Sequence, residues 1–234
     1  MSFLRTHSCE CFKSKLDLFT LPLTQTSIES SQWIYYKPLS TLADDASVEF
    51  VVPGHGEDYI DLAHTLLSLR VILQTPVEAA VTPPTSATTS SGTAVAEHKV
   101  ESVNNFLHSM FNQINVYFNQ KLVSPPNNAY AYRAYFETLL NYISEAKSSH
   151  LTICLWDSDP PGLLDAKFDA PTENPALVRR MQYFKNNRAV DLIGHLHCDV
   201  FNQDKFLING VEMRLRLIRS KDSFCLMELT PQTK

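Results

Sequence analysis

The chain has 234 residues, 44% apolar and 19% charged, which is enough to bury one substantial core and unlike a disordered or membrane composition. Acidic residues outnumber basic ones, 25 to 20, for a formal net charge of −5. That balance argues against a protein whose main task is to neutralise nucleic-acid phosphates, which needs clustered Lys and Arg.

At the N-terminus, Met1 to Leu23 has no apolar core and carries Glu10, Lys13, Lys15 and Asp17, so it does not read as a secretion signal. No run reaches the roughly 20 apolar residues of a membrane helix. The expectation is a soluble intracellular protein of cytoplasm or nucleus, not secreted. Of the cysteines, Cys9 and Cys11 form a C-x-C without a second pair, and Cys154, Cys198 and Cys225 are irregularly spaced. Reduced, mostly buried thiols are expected, with no cofactor and no metal. Residues 1–40 read as an N-terminal arm and residues 41–230 as one domain. The Pro-, Thr- and Ser-rich stretch 75–97 reads as an exposed loop, and 231–234 as a tail.

Strands come first in the domain. Val48, Phe50 and Val52 alternate, and Pro53-Gly54 ends the run. Gly54-His55-Gly56-Glu57-Asp58 lacks the ligand spacing of a calcium loop and reads as a solvated turn. Leu67, Leu69, Val71 and Leu73 alternate again. A helix is expected from Val103, Phe106, Leu107, Met110 and Phe111, and a strand from Ile114, Val116 and Phe118. A second helix carries Ala131, Ala134, Tyr135, Thr138, Leu139 and Tyr142, with Asn127 or Asn128 as cap. Asp157 to Gly162, with its Pro-Pro-Gly, reads as a turn. Asn174-Pro175 looks like the cap and first residue of a third helix whose stripe is Leu177, Met181 and Phe184.

The densest strand region is Val190 to Met227. Val190 to Ile193 is one run. Phe206 to Ile208 leads into Asn209-Gly210, a strong type I′ hairpin signal, and Val211, Met213, Leu215 and Leu217 come next with Arg214 and Arg216 between them. After the polar turn at Ser220 to Ser223, a last strand is expected at Phe224 to Met227. Arg214, Arg216, Arg219 and Lys221 form a basic edge, read as a solvated strand face or subunit contact. About eight short strands with helices in the longer connections point to an all-β, two-sheet β-sandwich. The jelly roll is the eight-stranded member of that class, and periodicity alone does not select it.

The sharpest chemical candidate is His195-Leu196-His197. Residues two apart on a strand share a face, so both imidazoles could chelate one metal. Cupin enzymes use such a pair with a glutamate a few residues on, and here Cys198 to Asp204 supplies none. The favoured reading is that these histidines lie on the polar face of a strand or hydrogen-bond in a sheet. No phosphate loop, nucleophile elbow or zinc-protease helix is present, so no catalytic residue is assigned and an enzyme is not expected.

The block Val190 to Met227 resembles the major capsid protein of Maverick/Polinton elements and the related adintoviruses. Further similar blocks are Cys9 to Cys11 with Leu16 to Phe19, Phe50 to Gly56, Asn119 to Asn128, and Tyr130 to Tyr135 running into Glu137 to Tyr142. The resemblance implies a structural protein and transposable-element virion component, the N-terminal half of a double jelly roll. Three complete subunits would form a pseudo-hexagonal capsomer that packs with neighbouring capsomers and a penton protein in an icosahedral shell. It implies no cofactor, no small-molecule substrate and no specific nucleic acid, and a second jelly roll that this chain lacks after Met227. The alternatives are a cupin-like metal-binding enzyme using His195 and His197, and a sandwich binding module, lectin-like, that does not assemble.

Overall fold

A computed structural model of the chain describes residues 28–39, 47–54, 56–73, 100–164 and 174–228. The loop expected at 75–97, the Cys9-x-Cys11 pair, His55, the first 27 residues and the tail at 231–234 lie outside the described residues. The chain divides into two units, Met1–Tyr35 and Tyr36–Lys234. In the first, residues 28–35 carry no helix or strand and are exposed. The second holds all the helices and strands of the described residues.

Its largest sheet has four strands. These are β1 (Val48–Val52), β4 (Phe111–Phe118), β5 (Lys121–Leu122) and β7 (Met213–Arg219), in the order β1-β7-β4-β5. All pairings are antiparallel: Val48 faces Leu217 at one end of β1–β7, and Val52 faces Met213 at the other. The strict alternation in β7 decides which face is inside. Met213, Leu215 and Leu217 are buried with Val48, Val52, Ile114 and Val116, while Arg214 and Arg216 point to solvent. Among the described residues, the other strands form two smaller antiparallel pairs. β2 (Leu66–Val71) pairs with β6 (Val190–His195), and β3 (Val100–Ser102) with β8 (Leu226–Glu228). The architecture is thus open antiparallel sheets with short helices in the connections, not a closed barrel, in keeping with the β-sandwich class.

Among the described residues, five α-helices lie in those connections: α1 (Phe106–Ser109), α2 (Tyr130–Asn141), α3 (Ser144–Ser148), α4 (Pro175–Phe184) and α5 (Asp222–Cys225). The helix expected over Val103 to Phe111 is a single turn. Asn105 ahead of it is left-handed, and Phe111 already belongs to β4. The helical spacing arose because α1 and the start of β4 bury Phe106, Leu107 and Phe111 in one core. On α2, Tyr130, Ala134 and Thr138 are buried at four-residue spacing. Its cap is Ala129, without a side-chain hydrogen bond, rather than Asn127 or Asn128. The α4 expectation holds at its cap, where Asn174 Oδ1 accepts from the amides of Ala176 (3.0 Å) and Leu177 (3.4 Å) with Pro175 next, while Met181 of the expected stripe is only half-buried. Leu177 and Phe184 are buried, and Phe184 meets Phe106 edge-on at 5.6 Å.

One turn and one strand expectation are corrected. Asn209-Gly210 does not close a hairpin. Gly210 alone has positive φ (77°), Leu207 makes one bridge to Ile60, and β7 begins only at Met213 and pairs with β1 and β4. The two-residue hairpin lies at Asn119-Gln120, between β4 and β5, where both φ values are positive (44° and 68°) as a type I′ turn requires. Asn119 is held there by two contacts with Glu212: its amide donates to the Glu212 carbonyl, and its Oδ1 accepts from the Glu212 amide, both at 2.9 Å. The last strand also shifts. Phe224 and Cys225 belong to the one-turn α5, and only Leu226 onward is β8.

Gly194, the fifth residue of β6, allows α1 to pack on that strand. A Cβ there would come within 2.6 Å of Leu107 Cδ2 and 2.7 Å of Cys154 Sγ. Gly54 plays the same role past β1, where a Cβ would lie 2.5–2.7 Å from the Val211 backbone.

Candidate histidine cluster

The end of β6, the single turn α1 and the first two turns of α2 converge on three histidines. His195 is the last residue of β6, whereas His197 lies beyond the strand. The two therefore do not form a paired strand surface. The His195 Nε2 is 2.9 Å from the Ala63 carbonyl, which can only accept, so Nε2–H is the donor. His197 turns inward instead. Its Nδ1 is 2.8 Å from Glu137 Oε2, and its ring meets the buried His108 ring edge-on at 4.6 Å between centroids.

Glu137 is also held by Arg133, whose Nε donates at 2.7 Å, and Arg133 in turn donates to Asp199 Oδ1 at 2.5 Å. On the inner side, His108 Nδ1 lies 3.0 Å from the Tyr130 hydroxyl, which accepts from the His197 amide at 3.4 Å. A continuous polar chain thus leads from the interior, at His108 and Tyr130, through His197, Glu137 and Arg133 to the exposed Asp199.

Burial sets the protonation states of this chain. It pushes His108 well below the usual imidazole range, and the neighbouring His197 and His195 push the same way. His197 is also lowered, by burial first, although the Glu137 hydrogen bond pulls it back up. For Glu137, burial works upward, but hydrogen bonds from His197 and Arg133 win and hold its carboxyl below the ordinary value. Both inner histidines are therefore neutral at neutral pH. With Nδ1–H donating to Glu137, the His197 Nε2 keeps its lone pair. Glu137, His195 and His197 line one open cleft of about 340 Å³ together with Asn141, Tyr142 and Asn202.

Chemically the cleft offers oriented imidazole nitrogens and amide groups. Among the described residues, no group of three or more His, Cys, Asp or Glu side chains is gathered to hold a metal ion. Cys154, Cys198 and Cys225 are free and buried. Burial raises all three thiols, Cys154 and Cys198 to about 11, so they are protonated and unreactive at neutral pH. Among the described residues, no helix is long and apolar enough to cross a membrane.

The basic edge borders a second cleft of about 440 Å³, lined by Arg216, Arg219, Lys221, Ser47, Ile218, Ser220 and Asp222. Its arginines face acids: Arg214 lies 3.7 Å from Glu212, Arg216 lies 3.3 Å from Glu49, and Arg219 lies 2.9 Å from Asp222. The edge is a mixed-charge surface. Glu57 and Asp58 after Gly56 are exposed, as a solvated turn should be.

The turn at Asp157 to Gly162 holds more than sequence reading found. Arg180 is buried on α4 and meets the buried Asp159 at 3.0 Å, while Arg179 grips Asp157 with two hydrogen bonds, at 2.6 and 2.8 Å. Asn104 and Asn174 also donate to Asp159, at 3.0 and 2.9 Å. The signal was available: Arg180 falls on the same helical stripe as Leu177 and Phe184.

No protein-family profile matches the chain, and no solved structure matches it. Among curated proteins, the chain is similar to an uncharacterized protein of Caenorhabditis elegans, 24% identical over 206 residues. The match takes in 88% of this chain and 45% of the worm protein, so the chain spans about half the length of the curated relative that it matches.

Proposed function

We propose that this chain is a structural protein of a virus-like shell, the first jelly roll of a double jelly-roll capsid subunit. The observation that carries the reading is the block resemblance to Maverick/Polinton and adintovirus capsid proteins, above all across Val190 to Met227. The antiparallel sheets with helices in the long connections agree with a sandwich of that kind. In this reading β1, β7, β4 and β5 form one sheet of the roll, and the β2–β6 and β3–β8 pairs contribute to the facing one. The histidine chain then serves to lock α1, α2 and β6 together rather than to catalyse. The subunit acts as a homotrimer that packs against other capsomers, in the virion or, before assembly, inside the cell.

The test is native mass spectrometry on protein expressed from the reading frame that contains this chain. Masses of three copies and their multiples support the reading. A single-copy mass under every assembly condition overturns it.

A further inference from the structure

The outer face of α2 is built the wrong way round for a helix exposed to water. Its exposed residues are Tyr132, Phe136, Leu139, Leu140 and Asn141, and all but the last are large and apolar. Its two charged residues, Arg133 and Glu137, are instead committed to Asp199 and His197. A surface helix normally shows the reverse arrangement, with charge outward. Tyr132, Phe136 and Leu140 succeed one another at helical spacing, and Leu140 is 77% exposed. Phe224 of α5 extends the stripe, with its ring 5.6 Å from that of Tyr132.

We infer that this stripe is a self-association surface, and that its occupant is the same stripe on a second copy of the chain. Three features select that occupant. None of the stripe's own side chains carries charge, so none of them would select a charged partner. A row of aromatic and aliphatic side chains on a three-turn helix is complementary to its own copy when two such helices cross about a two-fold axis. The exposed parts of Tyr132, Phe136, Leu139, Leu140 and Phe224 amount to roughly 500 Å² per copy, so a two-fold contact that covers them fully buries about 1,000 Å², the least that a specific interface needs. A patch of this size lies at the upper end of what a monomer exposes, and such patches are often functional.

The inference rests on the helix face and not on the shell reading, and the two can fail separately. Sedimentation velocity on the purified chain, from about 1 to about 100 micromolar, covers the range such a contact would hold. The expected result is an average mass that rises from one copy to two. Leu140→Lys combined with Phe136→Glu should stay at one copy throughout, with unchanged far-ultraviolet dichroism. Tyr132→Ser, at the other end of the stripe, should weaken association at least tenfold. Ile208→Lys, an exposed apolar residue beside the Leu207–Ile60 bridge, should leave it unchanged. A wild-type chain that stays at one copy overturns the inference and leaves the face to another segment or to a different protein. Dimers that persist in the double variant, or that Ile208→Lys also abolishes, overturn it equally.

Discussion

His197 Nδ1 stands 2.8 Å from a carboxylate oxygen of Glu137, and this contact ties the chain beyond β6 to the middle of α2. Glu137 joins the histidines to Arg133, and through it to Asp199. Glu137→Gln keeps the shape but removes the charge that both partners use. It should destabilise the chain by about 1–3 kcal/mol, the range for a hydrogen bond to a charged group in a partly buried site. Urea unfolding measures this, and a change below about 0.5 kcal/mol would reduce the contact to a surface pair.

The neutral histidines make stability depend on pH in a stated direction. His108 and His197 have folded-state pKa values below the ordinary value, so the unfolded chain takes up protons that the folded one refuses. Stability should be level above about pH 7.5. It should fall as pH drops through about 6.5, with a slope of up to about 1.4 kcal/mol per unit for each histidine. Glu137 acts in a lower window. Its carboxyl is held below the ordinary value, so its contribution is present above the unfolded carboxyl pKa and is lost as pH falls through the folded one. Urea midpoints between pH 7.5 and 5.5 read the histidine window. His108→Gln should flatten the wild-type slope, and a wild-type curve already flat across this range would contradict the account.

Two glycines should resist alanine for different reasons. Gly54→Ala drives a methyl against the Val211 backbone, which cannot swing away, and should cost at least about 2 kcal/mol. Gly194→Ala meets the ends of the Leu107 and Cys154 side chains instead, and about 1–3 kcal/mol is expected. Adding Cys154→Ala should recover part of the second loss and none of the first. Thermal unfolding of the four variants compares them directly.

The Arg180–Asp159 pair is buried on both sides, so removing one partner strands the other. Arg180→Met or Asp159→Asn alone should lose about 3–5 kcal/mol. The double replacement should lose less than the sum of the singles, because the two side chains share one network. Additive losses in equilibrium unfolding would show that the pair is not coupled.

Where a residue's neighbours are local, the sequence was readable. The alternation in β7 is set by one buried face, so Met213, Leu215 and Leu217 could be assigned inward from spacing alone. The cap at Asn174 needs only the amides of Ala176 and Leu177 just after it. Long-range partners were hidden. Nothing near His197 names Glu137, which is 60 positions away, and nothing near Asp159 names Arg180. The Asn119-Gln120 hairpin escaped because glutamine rarely adopts positive φ, and here Glu212, from across the sheet, holds the turn. Asn209-Gly210 misled for the opposite reason: its local preference suits a hairpin, but the Gly210 amide is taken by the Gly54 carbonyl and the chain passes on to β1 and β4. The outward apolar row on α2 was in plain view at 132, 136 and 140. It could not be told from a core stripe until Arg133 and Glu137 were seen on the inner side.

The central claim, that the chain is part of a shell subunit, is tested most directly by electron microscopy of protein expressed from the reading frame that contains it. The account predicts particles with three-fold symmetry and a pseudo-hexagonal outline that tile into closed shells. Uniform single-copy particles that never assemble, at any salt or protein concentration, would contradict it.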